Sequence, residues 1–174
     1  MKFFSLLSLV LIITLSSCSS VRVASDYDKQ TNFNNYRSYA FYKPGVDKAE
    51  ISDLDKKRIL RAIEADMSAE GFTKSQNPDI LVSIFTKTKE NVNIYQNNFG
   101  YGYGWSPWYW GNNFNSVSTT TEGTLYIDLI DAYKNELIWQ GIGTAALTTK
   151  VEKKQEKMNK IVTAILDKYP PELR

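Results

Sequence analysis

The recurrence of Leu125, Ile127 and Leu129 at every second position, followed closely by a second extended run, restricts this chain more than any other feature. A period of two is the signature of a strand with one face in a core. Residues 123–132 and 137–146 are separated by Tyr133-Lys134-Asn135-Glu136. So short a connection makes them an antiparallel hairpin. On the second strand, simple alternation sets Ile138 and Ile142 opposite Leu137 and Trp139. A lone hairpin is not stable in water, so its apolar face requires a covering layer.

Two segments have the pattern of that layer. Ser52 with Asp55 forms a capping box ahead of Ile59, Ile63 and Met67, which recur every four residues. Gly71 is placed to end this helix in a left-handed cap. Thr149 with Glu152 reads as a second capping box, opening a helix that carries Val151, Met158, Ile161, Val162, Ile165 and Leu166. Pro170-Pro171 cannot continue it.

Three further strands are expected. Residues 19–28 alternate Val21 and Val23 with polar residues and read as a tether that becomes a strand. Residues 36–43 (YRSYAFYK) are rich in aromatics and closed by Pro44-Gly45. Residues 79–89 (DILVSIFTKTK) start apolar and turn polar, as a central strand does where it leaves the sheet. The order is β-β-α-β-loop-β-β-α. It predicts an α+β domain: a mainly antiparallel sheet of about five strands with both amphipathic helices on one face.

Residues 97–115 (NNFGYGYGWSPWYWGNNFN) break this pattern. They hold four glycines, three of the four tryptophans and no charge, and are expected to form a loop. Uncharged aromatic clusters at a surface mark contact sites, which makes Trp105, Trp108, Tyr109 and Trp110 the candidate partner-binding residues.

The N-terminus carries different information. Lys2 precedes an apolar run from Phe3 to Leu15 that is too short to span a bilayer, and Leu15-Ser16-Ser17-Cys18 comes directly after it. That tetrapeptide resembles the bacterial lipobox, in which the Cys thiol is alkylated with diacylglycerol and its amine is acylated after cleavage. Cys18 is the only cysteine, so lipidation also removes a reactive thiol from an exported protein. The expected organisation is a cleaved signal peptide at 1–17, a lipidated tether at 18–25 and one domain at 26–174. Removing residues 1–17 from the 174 leaves 157, enough for a disulfide-free core. The net charge of +2, or +1 without Lys2, gives no electrostatic case for nucleic acid.

Several blocks then fall into a familiar order. Asp26-Tyr27-Asp28 leads into Phe33-Asn34-Asn35-Tyr36-Arg37-Ser38-Tyr39-Ala40-Phe41. Pro78-Asp79-Ile80-Leu81-Val82 comes next, then Gly123-Thr124-Leu125-Tyr126-Ile127-Asp128-Leu129 and Leu137-Ile138-Trp139-Gln140-Gly141. Lys168-Tyr169-Pro170-Pro171 closes the set. This succession resembles the domain-of-unknown-function 4136 family, envelope lipoproteins of diderm bacteria. Phe41 stands where members more often have Trp, and Gln140 where Arg is common. The resemblance implies the fold and an envelope location. It brings no catalytic residues, because the family has no agreed activity.

Chemistry is sparse. There is no histidine, which removes the commonest general base, the usual hydrolase triads and most transition-metal sites. No metal site and no cofactor are expected beyond the lipid on Cys18. Asp128 and Asp131 are the one carboxylate pair worth weighing, as glycosidases need only two acids. Three positions apart on a strand, they lean to opposite faces; Asp131 suits the hairpin turn and Asp128 a hydrogen-bonded strand position.

The leading expectation is a non-enzymatic, lipid-anchored interaction or structural module on the periplasmic side of the outer membrane. Its partners would be membrane lipid through Cys18 and an envelope protein. The first alternative is a glycan or peptidoglycan binder using the aromatic loop; a weaker one is an enzyme using Asp128 or Asp131. The oligomeric state is not legible.

Overall fold

The structure, a computed structural model, describes residues 21–95 and 116–171, with side chains for 21–90 and 121–171. In chain order its elements are β1 (Arg22–Tyr27), β2 (Ser38–Phe41), α1 (Lys43–Lys48), α2 (Asp53–Ala69) and β3 (Thr73–Lys74). These are followed by β4 (Ile80–Tyr95), β5 (Ser116–Asp131), β6 (Glu136–Ala146) and α3 (Val151–Leu166). The α+β architecture is as the sequence predicts, with six strands in one sheet, ordered β1-β6-β5-β4-β2-β3. The β1, β6, β5 and β4 pairings are antiparallel; β2 runs parallel to both β4 and β3.

The capping residues explain where α2 begins and ends. Ser52 Oγ accepts the Asp55 N–H at 3.2 Å and donates to Asp55 Oδ2 at 3.0 Å. At the other end Gly71 adopts φ +85°, and the N–H groups of Gly71 and Phe72 bond the carbonyls of Ser68 and Met67. That pair of bonds is the Schellman arrangement, which L side chains resist and glycine permits. The face between holds Ile59, Ala62, Ile63 and Met67, all buried. Each large aliphatic removed from water there contributes about 1.5–3 kcal/mol.

Helix α3 lies over β6 because Gly141 and Gly143 leave room for it. A Cβ on Gly143 would sit 2.7 Å from Ile165 Cδ1 and 2.8 Å from Ile161 Cγ1; one on Gly141 would run into Ile165 and Trp139. The expected Thr149–Glu152 capping box does not form. Lys150 is the N-cap without a side-chain bond, and Thr148 Oγ1 takes its N–H at 3.2 Å.

Three other expectations are corrected. Pro44-Gly45 does not simply close β2; it forms the first turn of α1, where proline's fixed φ suits a helix start. Strand β1 begins at Arg22, within the segment assigned to the tether, because its backbone pairs with β6 from Arg22↔Thr144 to Tyr27↔Trp139. Ile138 and Trp139 do not lie on opposite sides of a core boundary. The register shifts between Leu129 and Ile130, a bulge, and both residues are buried while Leu137 is exposed. The chain end then closes on this spot, as Tyr169 packs edge-to-face on Trp139, Phe33 and Phe72 with centroids 5.6–5.9 Å apart.

Candidate functional site

The register separates the two candidate acids. Asp131 pairs with Ile80 in the row that continues Leu129 and Ile127, so it faces the helices. It is 5% exposed. Tyr36 Oη donates to its Oδ2 at 2.8 Å, and the N–H groups of Tyr133 and Lys134 donate to its Oδ1, each at 2.9 Å. Burial pushes the Asp131 carboxyl up, but the Lys134 N–H, the Tyr36 hydroxyl and the Tyr133 N–H outweigh it and hold the pKa below the ordinary value. The phenol answers in the opposite sense: burial and the Asp131 carboxylate push Tyr36 up to about 12. This is a turn anchor that holds three donors.

Asp128 sits on the other side of the sheet, paired with Ser83 and Gln140. Gln140 Nε2 donates to Asp128 Oδ1 at 2.7 Å. Burial raises its pKa and the Gln140 bond opposes that rise. A sheet therefore stands between the two carboxylates, and no single substrate bond meets both. Asp79 is also tied to backbone: its Oδ2 accepts the Arg37 N–H at 3.0 Å and the Ser38 N–H at 2.9 Å.

The strands at the far end of the sheet bring together features that sequence patterns do not connect. Below the N-terminal ends of α2 and α3 is a cleft of about 170 Å³, walled by Ile51, Ile59, Leu125, Leu147 and Met158. Sites that bury a drug-sized ligand measure roughly 300–1,000 Å³, so this one takes only a small apolar group. Asp55 at its rim is fully engaged, with Lys154 Nζ at 2.9 Å and Arg58 Nη1 at 2.7 Å. Burial opposes the charge of Asp55, yet the bonds from Lys154, Ser52 and Arg58 hold its pKa below the usual range. The buried Oγ1 of Thr86, also in the wall, has no hydrogen-bond partner.

On the opposite face of the same strands, Phe85 and Tyr126 lie with ring centroids 5.6 Å apart. Lys87 Nζ stands 5.6 Å from each ring. Phe85 is 42% exposed. Its odd position beside Val82 and Ile84 is the one signal in the sequence for an outward aromatic, and an apolar run conceals it.

Beyond the cleft, β4 and β5 continue as a two-stranded ribbon to the pair Tyr95↔Ser116. Strands β4 and β5 are thus longer than the expected 79–89 and 123–132. Cys18 and the candidate partner residues Trp105, Trp108, Tyr109 and Trp110 lie outside the described residues. Among the described residues no group of three or more acidic, Cys or His side chains is placed to hold a metal, and no helix is long and apolar enough to cross a membrane.

Comparison with solved structures finds a PDZ domain protein from Parabacteroides distasonis, at TM-score 0.52 and 13% identity. The match covers 95% of this chain and 40% of that one. This chain therefore spans less than half the length of that protein, and the likeness is one of fold alone. A PelC dodecamer from Paraburkholderia phytofirmans aligns at TM-score 0.43 and 12% identity over 84% of this chain and 95% of that one. No curated protein matches significantly by sequence. The family described as Domain of unknown function (DUF4136) matches residues 23–171, and the chain belongs to it.

Proposed function

We propose that this protein is a lipid-anchored envelope module that works by contact with a partner, not by catalysis, on the periplasmic side of the outer membrane. The observation that carries the reading is the position of the single thiol. Cys18 stands in Leu15-Ser16-Ser17-Cys18, four residues before Arg22, where β1 begins. An acylated cysteine there would hold the folded domain directly against a membrane, with almost no linker. Support for the non-catalytic part comes from the carboxylates: Asp131 and Asp79 are spent on backbone N–H groups, and Asp128 faces away from Asp131.

Envelope fractionation combined with crosslinking in intact cells tests this. The wild-type chain is expected in the outer-membrane fraction with one or a few protein crosslinks, and Cys18→Ser in the soluble fraction without them. Recovery of the wild type as a soluble protein contradicts the reading. Retention on isolated peptidoglycan that disappears when residues 97–115 are deleted would favour the glycan-binding alternative through Trp105, Trp108, Tyr109 and Trp110.

A further inference from the structure

The start of β1 and the β4–β5 ribbon belong to the same end of the sheet, and they point the same way. Arg22 pairs with Thr144, Thr144 with Thr124, and Thr124 with Lys87, so these four residues form one row across the sheet. Arg22 Nη2 also reaches Glu122 at the base of the ribbon, at 2.9 Å. Strands β1 and β5 are both antiparallel to β6. They therefore run in the same direction, and β5 runs from the ribbon toward the body of the domain. The chain thus enters β1 from the ribbon's side.

The tether is shorter than the ribbon. Cys18 is four residues from Arg22, a span of at most about 14 Å even when fully extended. The ribbon runs on from Lys87 to Tyr95, eight residues, which at the rise of a strand is about 26 Å. It projects from the row roughly twice as far as the tether can.

The ribbon is also incomplete as a sheet. Pairing with β2 stops at Val82 and pairing with β6 at Glu122. From Glu90↔Thr121 to Tyr95↔Ser116 neither edge meets another strand among the described residues. A two-stranded ribbon with open edges is marginal in water on its own. By register, Glu90, Val92, Ile94, Val117, Thr119 and Thr121 alternate with Asn91, Asn93, Tyr95, Ser116, Ser118 and Thr120, and beyond Glu90 neither set carries a charged residue.

We propose that the β4–β5 ribbon is a membrane-contacting surface, lying in the phospholipid headgroup layer of the leaflet that carries the lipid on Cys18. The proposal rests on the lipoprotein reading and deepens it, because the short tether leaves no arrangement in which the anchor is inserted and the upright ribbon stays clear of the bilayer.

The test exploits the absence of any other thiol. The full chain is produced in its lipidated form with Asn93→Cys in the ribbon, or with Lys134→Cys in the β5–β6 turn at the opposite end. Each is labelled with an environment-sensitive maleimide dye and reconstituted into vesicles of phosphatidylethanolamine and phosphatidylglycerol containing a lipid-borne quencher. Emission from position 93 is expected to shift to the blue and to be quenched severalfold more strongly than emission from position 134. Equal, water-like emission from both overturns the ribbon proposal while leaving lipidation intact. Shielding of position 93 in lipid-free Cys18→Ser protein as strong as in vesicles also overturns it, because a second copy would then be the cover. Dye on Cys18 itself in the unsubstituted chain overturns the lipoprotein reading, and the ribbon proposal falls with it.

Discussion

Tyr36 donates its hydroxyl to Asp131 at 2.8 Å across 95 residues of sequence, joining the segment before β2 to the turn between β5 and β6. Tyr36→Phe removes this one donor and leaves the Tyr133 and Lys134 N–H bonds in place, so it should cost about 1 kcal/mol. Asp131→Ala strands three donors at a buried position and should cost about 3 kcal/mol. Urea denaturation of the chain carrying Cys18→Ser, compared at unchanged slope, measures both; equal losses would mean that the turn bonds contribute nothing.

The acids should oppose one another in their pH dependence. Asp131 has a folded pKa below its unfolded value of 3.8, so the unfolded chain binds the proton first. Its contribution is present above 3.8 and is lost as pH falls through the folded pKa. Asp128 is raised, so its sign is reversed: stability is greatest below 3.8 and declines as pH rises through the folded pKa. Asp128→Asn should therefore raise the melting temperature at pH 7, and Asp131→Asn should lower it. Melting curves from pH 3 to 7 check the pair, and shifts of the same sign would contradict the assignments.

The glycines of β6 set how closely α3 can approach. Gly143→Ala places a methyl group against Ile161 and Ile165, whose contacts are already full. Overpacking of this kind should cost about 1–3 kcal/mol. Gly71→Ala has nothing near its Cβ, so any loss there reflects only the left-handed backbone, about 1 kcal/mol. Denaturant midpoints separate the two mechanisms.

Thr86 should tolerate the reverse change. Its buried hydroxyl has no partner, so Thr86→Val keeps the shape of the cleft wall and removes an unsatisfied group. The variant should be unchanged or more stable by up to about 1 kcal/mol. A clear loss of stability would show that the hydroxyl bonds something within the cleft.

The elements that can be read from sequence are those with a local cause. The four-residue spacing of Ile59, Ile63 and Met67, with Ser52 and Gly71 at its ends, needs no tertiary information. The opposite faces of Asp128 and Asp131 follow from strand parity alone. Alternation misplaces Ile138 and Trp139 because a bulge changes parity, and the bulge depends on how β6 meets β5. Helix α1 is hidden because Pro44-Gly45 opens a helix as readily as it closes a strand. The ribbon is cut short because the polar run Lys87-Thr88-Lys89-Glu90 separates Val92 and Ile94 from the apolar start of β4, and residues 116–121 are Ser and Thr around a single Val; its length comes from pairing. The shared end of β1 and the ribbon is a property of strand order, which no single segment encodes.

The lipid-anchored account turns on the fate of Cys18. Intact-mass measurement of the chain purified from membranes reads this directly. The expected species begins at Cys18, lacks residues 1–17, and carries the added mass of a diacylglycerol and one acyl chain. A chain that retains Met1, or a cleaved chain with a free Cys18 thiol, would contradict that account.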